Sequence, residues 1–158
     1  MSVAIIPGSF DPMTVGHVDI IERASKIFDR VVVTVMINRE KKYMFTIDER
    51  TEFARLSCSH LSNVEVMCSE GMLIDVVDEL GADVIIKGVR SVKDFSYEQV
   101  QAYWNKEHNP KAETMYLPSN PKLKRVSSTM VRKLIDEGKR LDGVLMPAVI
   151  SRLKADKN

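Results

Sequence analysis

Two short segments of this chain have the residue types needed to hold phosphate. The first is Gly8-Ser9-Phe10-Asp11-Pro12, followed by Thr14-Val15-Gly16-His17. It lies between an apolar run and a periodic helical stretch. Small residues that turn a strand into a helix aim backbone N–H groups at one point, where the helix N-terminus adds partial positive charge. His17 brings a side-chain donor to the same place. The spacing is neither that of a P-loop nor that of the dinucleotide glycine fingerprint. The second segment is Val126-Ser127-Ser128-Thr129-Met130-Val131-Arg132. One hydroxyl is enough to cap a helix. Three in a row after a basic loop predict another anion cradle, with Ser127 and Ser128 on the inward side above Val131, Leu134 and Ile135.

These segments need a scaffold that brings them together. Val3 to Ile6 is an apolar run that stops at Pro7-Gly8 and predicts a buried strand. His17, Ile20, Ile21, Ala24, Ile27 and Phe28 fall on one helical stripe, which turns His17 inward over the strand ends. Val31 to Met36 is a second, β-branched strand. Thr46 and Glu49 form a capping box for a helix with Ile47, Ala54, Cys58 and Leu61 on its apolar face. Val64 to Met67 is a third strand. The next helix carries Leu73, Val76, Val77 and Leu80 and is closed by Gly81. Val84 to Ile86 is a fourth strand. After a loop from Gly88 to Lys93, a helix is expected from about Asp94 to Glu107. Thr114 to Leu117 is the last strand. A helix near Ser127 and a short helical tail, from about 141 with a helix beginning near Pro147, complete one domain over 1–158. Strands that alternate with helices and read as short continuous apolar runs predict an α/β fold: a Rossmann-like, doubly wound, parallel five-stranded sheet with helices on both faces.

In such sheets ligands sit outside the carboxyl ends of the strands. Four polar segments follow predicted strands and so converge there: Gly8 to His17, Asn38 to Lys42, Lys87 to Arg90, and Lys122 to Thr129. Three of them carry cations, namely Lys41 and Lys42, Lys87 and Arg90, and Lys122, Lys124 and Arg125. The chain as a whole has a net charge of only +1 over 158 residues, so positive charge is concentrated at the ligand edge. That balance gives no global case for nucleic-acid binding. With 44% hydrophobic and 28% charged residues, the composition is that of a soluble globular protein. The start lacks a signal peptide's pattern and the longest apolar stretch is too short for a bilayer, so the expected location is cytoplasmic, with no membrane partner. Cys58 and Cys68 have no metal or redox spacing and are expected to pack as reduced, small hydrophobes. His60 and His108 read as surface or helix-end residues. Trp104 with Tyr97 and Gln101 reads as a helix face for core or subunit packing.

The pairing of the first segment with the later Ser-Ser-Thr-x-Val-Arg resembles the nucleotidyltransferases that carry a (H/T)xGH signature. Within that superfamily the chain is similar to the phosphopantetheine adenylyltransferases, from about Val3 to Leu153. Supporting stretches are Lys41-Lys42-Tyr43-Met44-Phe45, Gly71 to Asp75, Lys87-Gly88-Val89-Arg90 and Asp94-Phe95-Ser96-Tyr97-Glu98. The resemblance implies transfer of AMP from ATP to 4'-phosphopantetheine, with Mg²⁺ carried by substrate phosphates and water, and a homo-oligomer, a hexamer in relatives. It implies catalytic roles for His17, as transition-state stabiliser, and for Ser9, Lys41 and Arg90. Ser9, Phe10, His17, Gly88, Val89, Arg90 and Glu98 would hold ATP, together with Leu123, Lys124, Arg125, Val126, Ser127, Ser128 and Thr129. Ser9, Lys41, Leu73 and Lys87 would hold the acceptor. Asp11 is the nearest candidate metal carboxylate, although Asp-Pro in a turn is more often structural.

The residues agree with that chemistry. A phosphate acceptor is already ionised near neutral pH, so no strong base is required. The task is to bring two polyanions together and support charge on phosphorus. Two departures stand out: Lys87 occupies a position where arginine is usual, and Thr129 one where serine is usual. The Ser-Ser-Thr form also resembles nicotinate-mononucleotide adenylyltransferases, but those open with Gly-Gly-x-Phe-Asn-Pro and carry histidine where Thr14 stands. A non-catalytic nucleotide sensor on the same fold is the alternative from another class; it could dispense with His17.

Overall fold

The computed structural model describes residues 1–158. Its centre is a parallel sheet of five strands in the order β3-β2-β1-β4-β5, formed by β1 (Val3–Gly8), β2 (Arg30–Met36), β3 (Val64–Ser69), β4 (Val84–Val89) and β5 (Thr114–Pro118). The helices are α1 (Val15–Ser25), α2 (Ile47–Cys58), α3 (Leu73–Leu80), α4 (Val92–His108), α5 (Ser128–Asp136) and α6 (Pro147–Ala155). A single 3-10 turn spans Pro121–Leu123.

The continuous apolar strands follow from burial on both sides. Along β1, Ala4 and Ile6 enter one core cluster with Val31, Val33, Val84 and Ile86, while Val3 and Ile5 enter another with Val76, Val77 and Ile85. Helices α1 and α2 supply the first cluster with Ile21, Ala24 and Ala54, and α3 covers the second. A third cluster of Phe53, Val131, Leu145 and Val149 docks the C-terminal tail against α2 and α5. The chain builds β1, β2 and β3 outward in one direction. It then crosses back to place β4 on the other side of β1. The reversal opens a crevice above the carboxyl ends of β1 and β4.

Local punctuation agrees with the sequence at several points. Thr46 caps α2 and Glu49 completes the box; Gly81 ends α3 at φ 58°. Other expectations need correction. Helix α1 ends at Ser25, so Ile27 and Phe28 are not on its stripe; Ile27 is 62% exposed, and Phe28 reaches the core from the turn that follows. Leu61 likewise lies beyond α2. Gly88 and Val89 belong to β4, in register with Leu117 and Pro118 of β5, and α4 starts at Val92, capped by Ser91. Cys58 is buried beside Met13 Sδ at 3.9 Å, and burial pushes its thiol up to about 12. Cys68 is exposed on β3 rather than packed. Tyr97, Gln101 and Trp104 are outside the core; Trp104 stacks on His108 with ring centroids 4.0 Å apart. His60 meets Glu22 at 2.7 Å on the surface. No helix is long and apolar enough to cross a membrane.

Gly88 shows how tightly the crevice is built. A Cβ there would meet Cγ1 of Ile20 at 2.9 Å, and Ile20 is itself buried. Gly88→Ala is expected to destabilise the fold by about 1–3 kcal/mol, measured by denaturant unfolding. In the Ile20→Ala/Gly88→Ala double variant the loss should be smaller than the sum of the single losses.

Candidate active site

The crevice is a cavity of about 400 Å³. Its floor is the end of β1 and the turn after it, Ile6 to Phe10, with Ile86, Lys87 and Gly88 from β4. Thr14, Gly16, His17 and Ile20 of the α1 start form one wall, and Asp94 and Glu98 of α4 another. Lys41 reaches in from the loop after β2, and Leu123 with Val126 to Thr129 closes the far side. The structure therefore brings together Ser9, Phe10, His17, Lys41, Lys87, Gly88, Arg90, Glu98, Leu123, Val126, Ser127, Ser128 and Thr129. Val89, Lys124 and Arg125 do not line this cavity. Leu73 lines a small neighbouring cavity, which shares Lys87 and Glu98 with the large one and adds Gln101 and Asn105.

The turn after β1 sets the position of His17. Phe10 has φ 46°, a left-handed conformation that bulky residues rarely adopt and that marks functional strain when it occurs. It folds the Phe10 ring back over Gly8, where a Cβ would lie 2.9 Å from Cζ of that ring. The ring then meets His17 edge-on, with centroids 5.1 Å apart at 89°. Asp11 is structural: its carboxylate accepts from the backbone N–H groups of Met44 and Phe45 at 2.9 and 3.0 Å. Arg132 of α5 donates to the Asp11 carbonyl oxygen at 2.8 Å.

His17 occupies the position where a capping box normally has a carboxylate. Thr14 Oγ1 accepts from the His17 backbone N–H at 3.4 Å, and the Thr14 backbone N–H donates to Nδ1 of His17 at 2.9 Å. A backbone amide can only donate, so Nδ1 is an acceptor and carries no proton. The proton of the neutral ring is then on Nε2. Burial, and next the charges of Arg90 and Lys87, lower the pKa of His17 from 6.5 to about 4. The imidazole is consequently neutral at physiological pH. It offers one N–H donor beside three cationic side chains.

Two of those cations are paired with α4. Lys87 Nζ is 3.3 Å from Glu98, and Arg90 Nε is 3.0 Å from Asp94, whose carboxylate also accepts from the Arg90 backbone N–H at 3.1 Å. Asp94 and Glu98 are one helical turn apart, so a single face of α4 holds both cations in place. The hydroxyl run also makes contacts of its own. Ser127 caps α5 by accepting from Met130 N–H, Ser128 donates to the Pro12 carbonyl, and Thr129 accepts from Arg132. All three line the cavity; Ser128 holds α5 against the first turn, while the Ser127 and Thr129 contacts are within α5 itself. Asp94 and Ser119 are lining residues that the sequence reading missed. An acidic pair at i and i+4 immediately after two cations was the available signal for Asp94. No group of three or more His, Cys, Asp or Glu stands together as a metal site.

A parallel sheet with its crevice at the strand-order reversal, a neutral histidine donor at a helix N-terminus and cations from separate loops define a nucleotidyltransferase-type site. The cytidylyltransferase-like family matches residues 5–134. The chain is 44% identical to the phosphopantetheine adenylyltransferase of Heliobacterium modesticaldum, over 97% of this chain and 91% of the relative. It is 48% identical to that of Alkaliphilus metalliredigens, over 85% of each. A crystal structure from Vibrio parahaemolyticus, provisionally described as a nicotinate-nucleotide adenylyltransferase, superposes with a TM-score of 0.73 at 23% identity, covering 98% of this chain and 93% of that one; this likeness shows the fold. The chain belongs to the phosphopantetheine adenylyltransferase family.

The tautomer and protonation of His17 can be read directly. In ¹⁵N-edited NMR, Nε2 should carry the proton and the ring should titrate at about 4. A midpoint near the ordinary 6.5, or a proton on Nδ1, would contradict the assignment.

Proposed function

We propose that the chain transfers the adenylyl group of ATP to 4'-phosphopantetheine, giving dephospho-coenzyme A and pyrophosphate in coenzyme A synthesis. The observation that carries this reading is the convergence of His17, Lys41, Lys87 and Arg90 on one cavity. A phosphate oxygen of the acceptor attacks the α-phosphorus of ATP. The new P–O bond forms as the bond to the bridging oxygen breaks, and pyrophosphate leaves with that electron pair. The acceptor oxygen is already ionised, so the site needs position and charge stabilisation rather than a base.

In this reading the Nε2–H of His17 donates to an α-phosphate oxygen. Ser9 lies between the two substrates, beside Phe10. Arg90, Gly88 and Glu98, with Leu123 and Val126 to Thr129, hold the nucleotide. Lys41 and Lys87 meet the acceptor phosphate, and Leu73 lies along its pantetheine arm. The ion pairs to Asp94 and Glu98 keep Lys87 and Arg90 at the crevice until phosphates compete for them. Lysine at 87 supplies a point charge and no two-pronged contact. The available carboxylates, Asp94 and Glu98, are committed to these cations, which suits Mg²⁺ that arrives on ATP phosphates and keeps its waters. When bound, Mg²⁺ would neutralise charge on the leaving pyrophosphate. We assign the reaction to the cytoplasm. We also infer assembly of several copies through α4, which leaves Val92, Tyr97, Val100 and Tyr103 between 66% and 82% exposed.

Pyrophosphate release from Mg-ATP should require phosphopantetheine. Nicotinate mononucleotide in its place, or no acceptor, should give background only; equal release with nicotinate mononucleotide would overturn the acceptor assignment, and ATP binding without release for any acceptor would make the chain a sensor. In the same assay His17→Ala should lower kcat by roughly 10²–10³-fold with little change in ATP affinity. A loss of under about threefold would remove His17 from its role.

A further inference from the structure

A buried arginine outside the substrate-facing set connects the two loops that this reading assigns to different parts of the reaction. Arg50 of α2 is 1% exposed. Its Nη1 donates to the carbonyl oxygen of Ser9, just after β1, at 2.6 Å and to that of Met36, the last residue of β2, at 3.1 Å. Neither target is a carboxylate, and Nε has no partner at all. Burying a guanidinium this way is costly unless its remaining contacts compensate. The Asp11 carboxylate nearby favours the charge, and one direct contact remains: the guanidinium carbon lies 3.9 Å from the centroid of the Tyr43 ring. A cation desolvated over an aromatic face is the strong form of this interaction.

Tyr43 in turn governs the loop that carries Lys41. Its hydroxyl accepts from the Asn38 backbone N–H at 2.8 Å, and Asn38 O accepts from Lys41 N–H at 3.0 Å. The ring and its hydroxyl thus hold the loop at its start, while Asp11 holds Met44 and Phe45 at its end.

We propose that Arg50 and Tyr43 form a positioning clamp that registers the Lys41 loop against the Ser9 turn and so controls capture of the anionic acceptor. Arg50 and Tyr43 act through Lys41 and Ser9, not on substrate. The acceptor part of this proposal rests on the function proposed above, whereas the clamp itself does not.

The test uses two readouts on the full chain. Arg39, Lys41 and Lys42 are exposed, so trypsin reports the order of the loop without any substrate. Tyr43→Leu removes the stack and the hydroxyl contact. It should speed cleavage in this loop roughly fivefold or more and raise the acceptor KM on the order of tenfold, with the Mg-ATP KM within about twofold. Tyr43→Phe keeps a ring over Arg50 and should recover most of both effects. Unchanged cleavage in Tyr43→Leu, or a Tyr43→Phe variant no better than Tyr43→Leu, would overturn the clamp. Faster cleavage with an unchanged acceptor KM would overturn its role in capture. Lys41→Ala, assayed in parallel, separates the two failures: if it too leaves the acceptor KM unchanged, the placement of Lys41 in the acceptor site falls as well.

Discussion

The backbone N–H of Thr14 donates to Nδ1 of His17, and much of the site depends on that contact. An amide donor cannot be refused, so the imidazole is held in one tautomer with its remaining proton on Nε2. The same contact satisfies a backbone group at the start of α1 that would otherwise be unpaired. Phe10 fixes the ring plane from the side, and its own backbone can do so only by taking a positive φ over a residue without a Cβ, Gly8. Thr14, His17, Phe10 and Gly8 therefore act as one unit. Change at any of them moves the donor that faces the crevice.

A neutral donor makes sense in a site that must admit two polyanions. Burial, and next the fields of Arg90 and Lys87, hold the imidazole below its ordinary pKa, so it contributes direction rather than another charge. The charge comes from flexible side chains, and α4 keeps two of them in place through Asp94 and Glu98. These pairs are partly exposed, where an ion pair is worth little. Phosphate oxygens can replace the carboxylates without a large penalty. The crevice is thus ordered before ligand arrives and still open to exchange. Behind it, Arg50 fixes the Ser9 carbonyl from the interior, and Asp11 ties the turn after β1 to the loop after β2.

Most of the scaffold was legible because its signals are local. β-branched runs marked the strands, and the Thr46–Glu49 box and Gly81 marked helix ends. Alternation of strand and helix then placed the loops at one edge. What failed did so where tertiary contacts override the pattern. Phe28 continues the periodicity of α1 yet reaches the core from a turn. Gly88 and Val89 look like loop punctuation between cations, but pairing with β5 keeps them in the sheet. The contact that seats the hydroxyl run at the crevice, Ser128 to the Pro12 carbonyl, spans 116 residues and leaves no local signal. Arg50 falls on the apolar stripe of α2 with Ile47 and Ala54. A charge on such a stripe is read as surface until its carbonyl partners, in the turn after β1 and at the end of β2, are seen.

The central claim is that His17 works as a neutral, fixed donor and exchanges no proton during transfer. The most direct measurement is the pH profile of the single-turnover rate, from about pH 5.5 to 8, for the wild-type chain and for His17→Gln. The acceptor phosphate itself titrates at about 6, so a limb from the substrate should occur in both. The account predicts two profiles of the same shape, displaced vertically. A limb present in the wild type and missing from His17→Gln would mean that the imidazole changes protonation state in the reaction, and would contradict it.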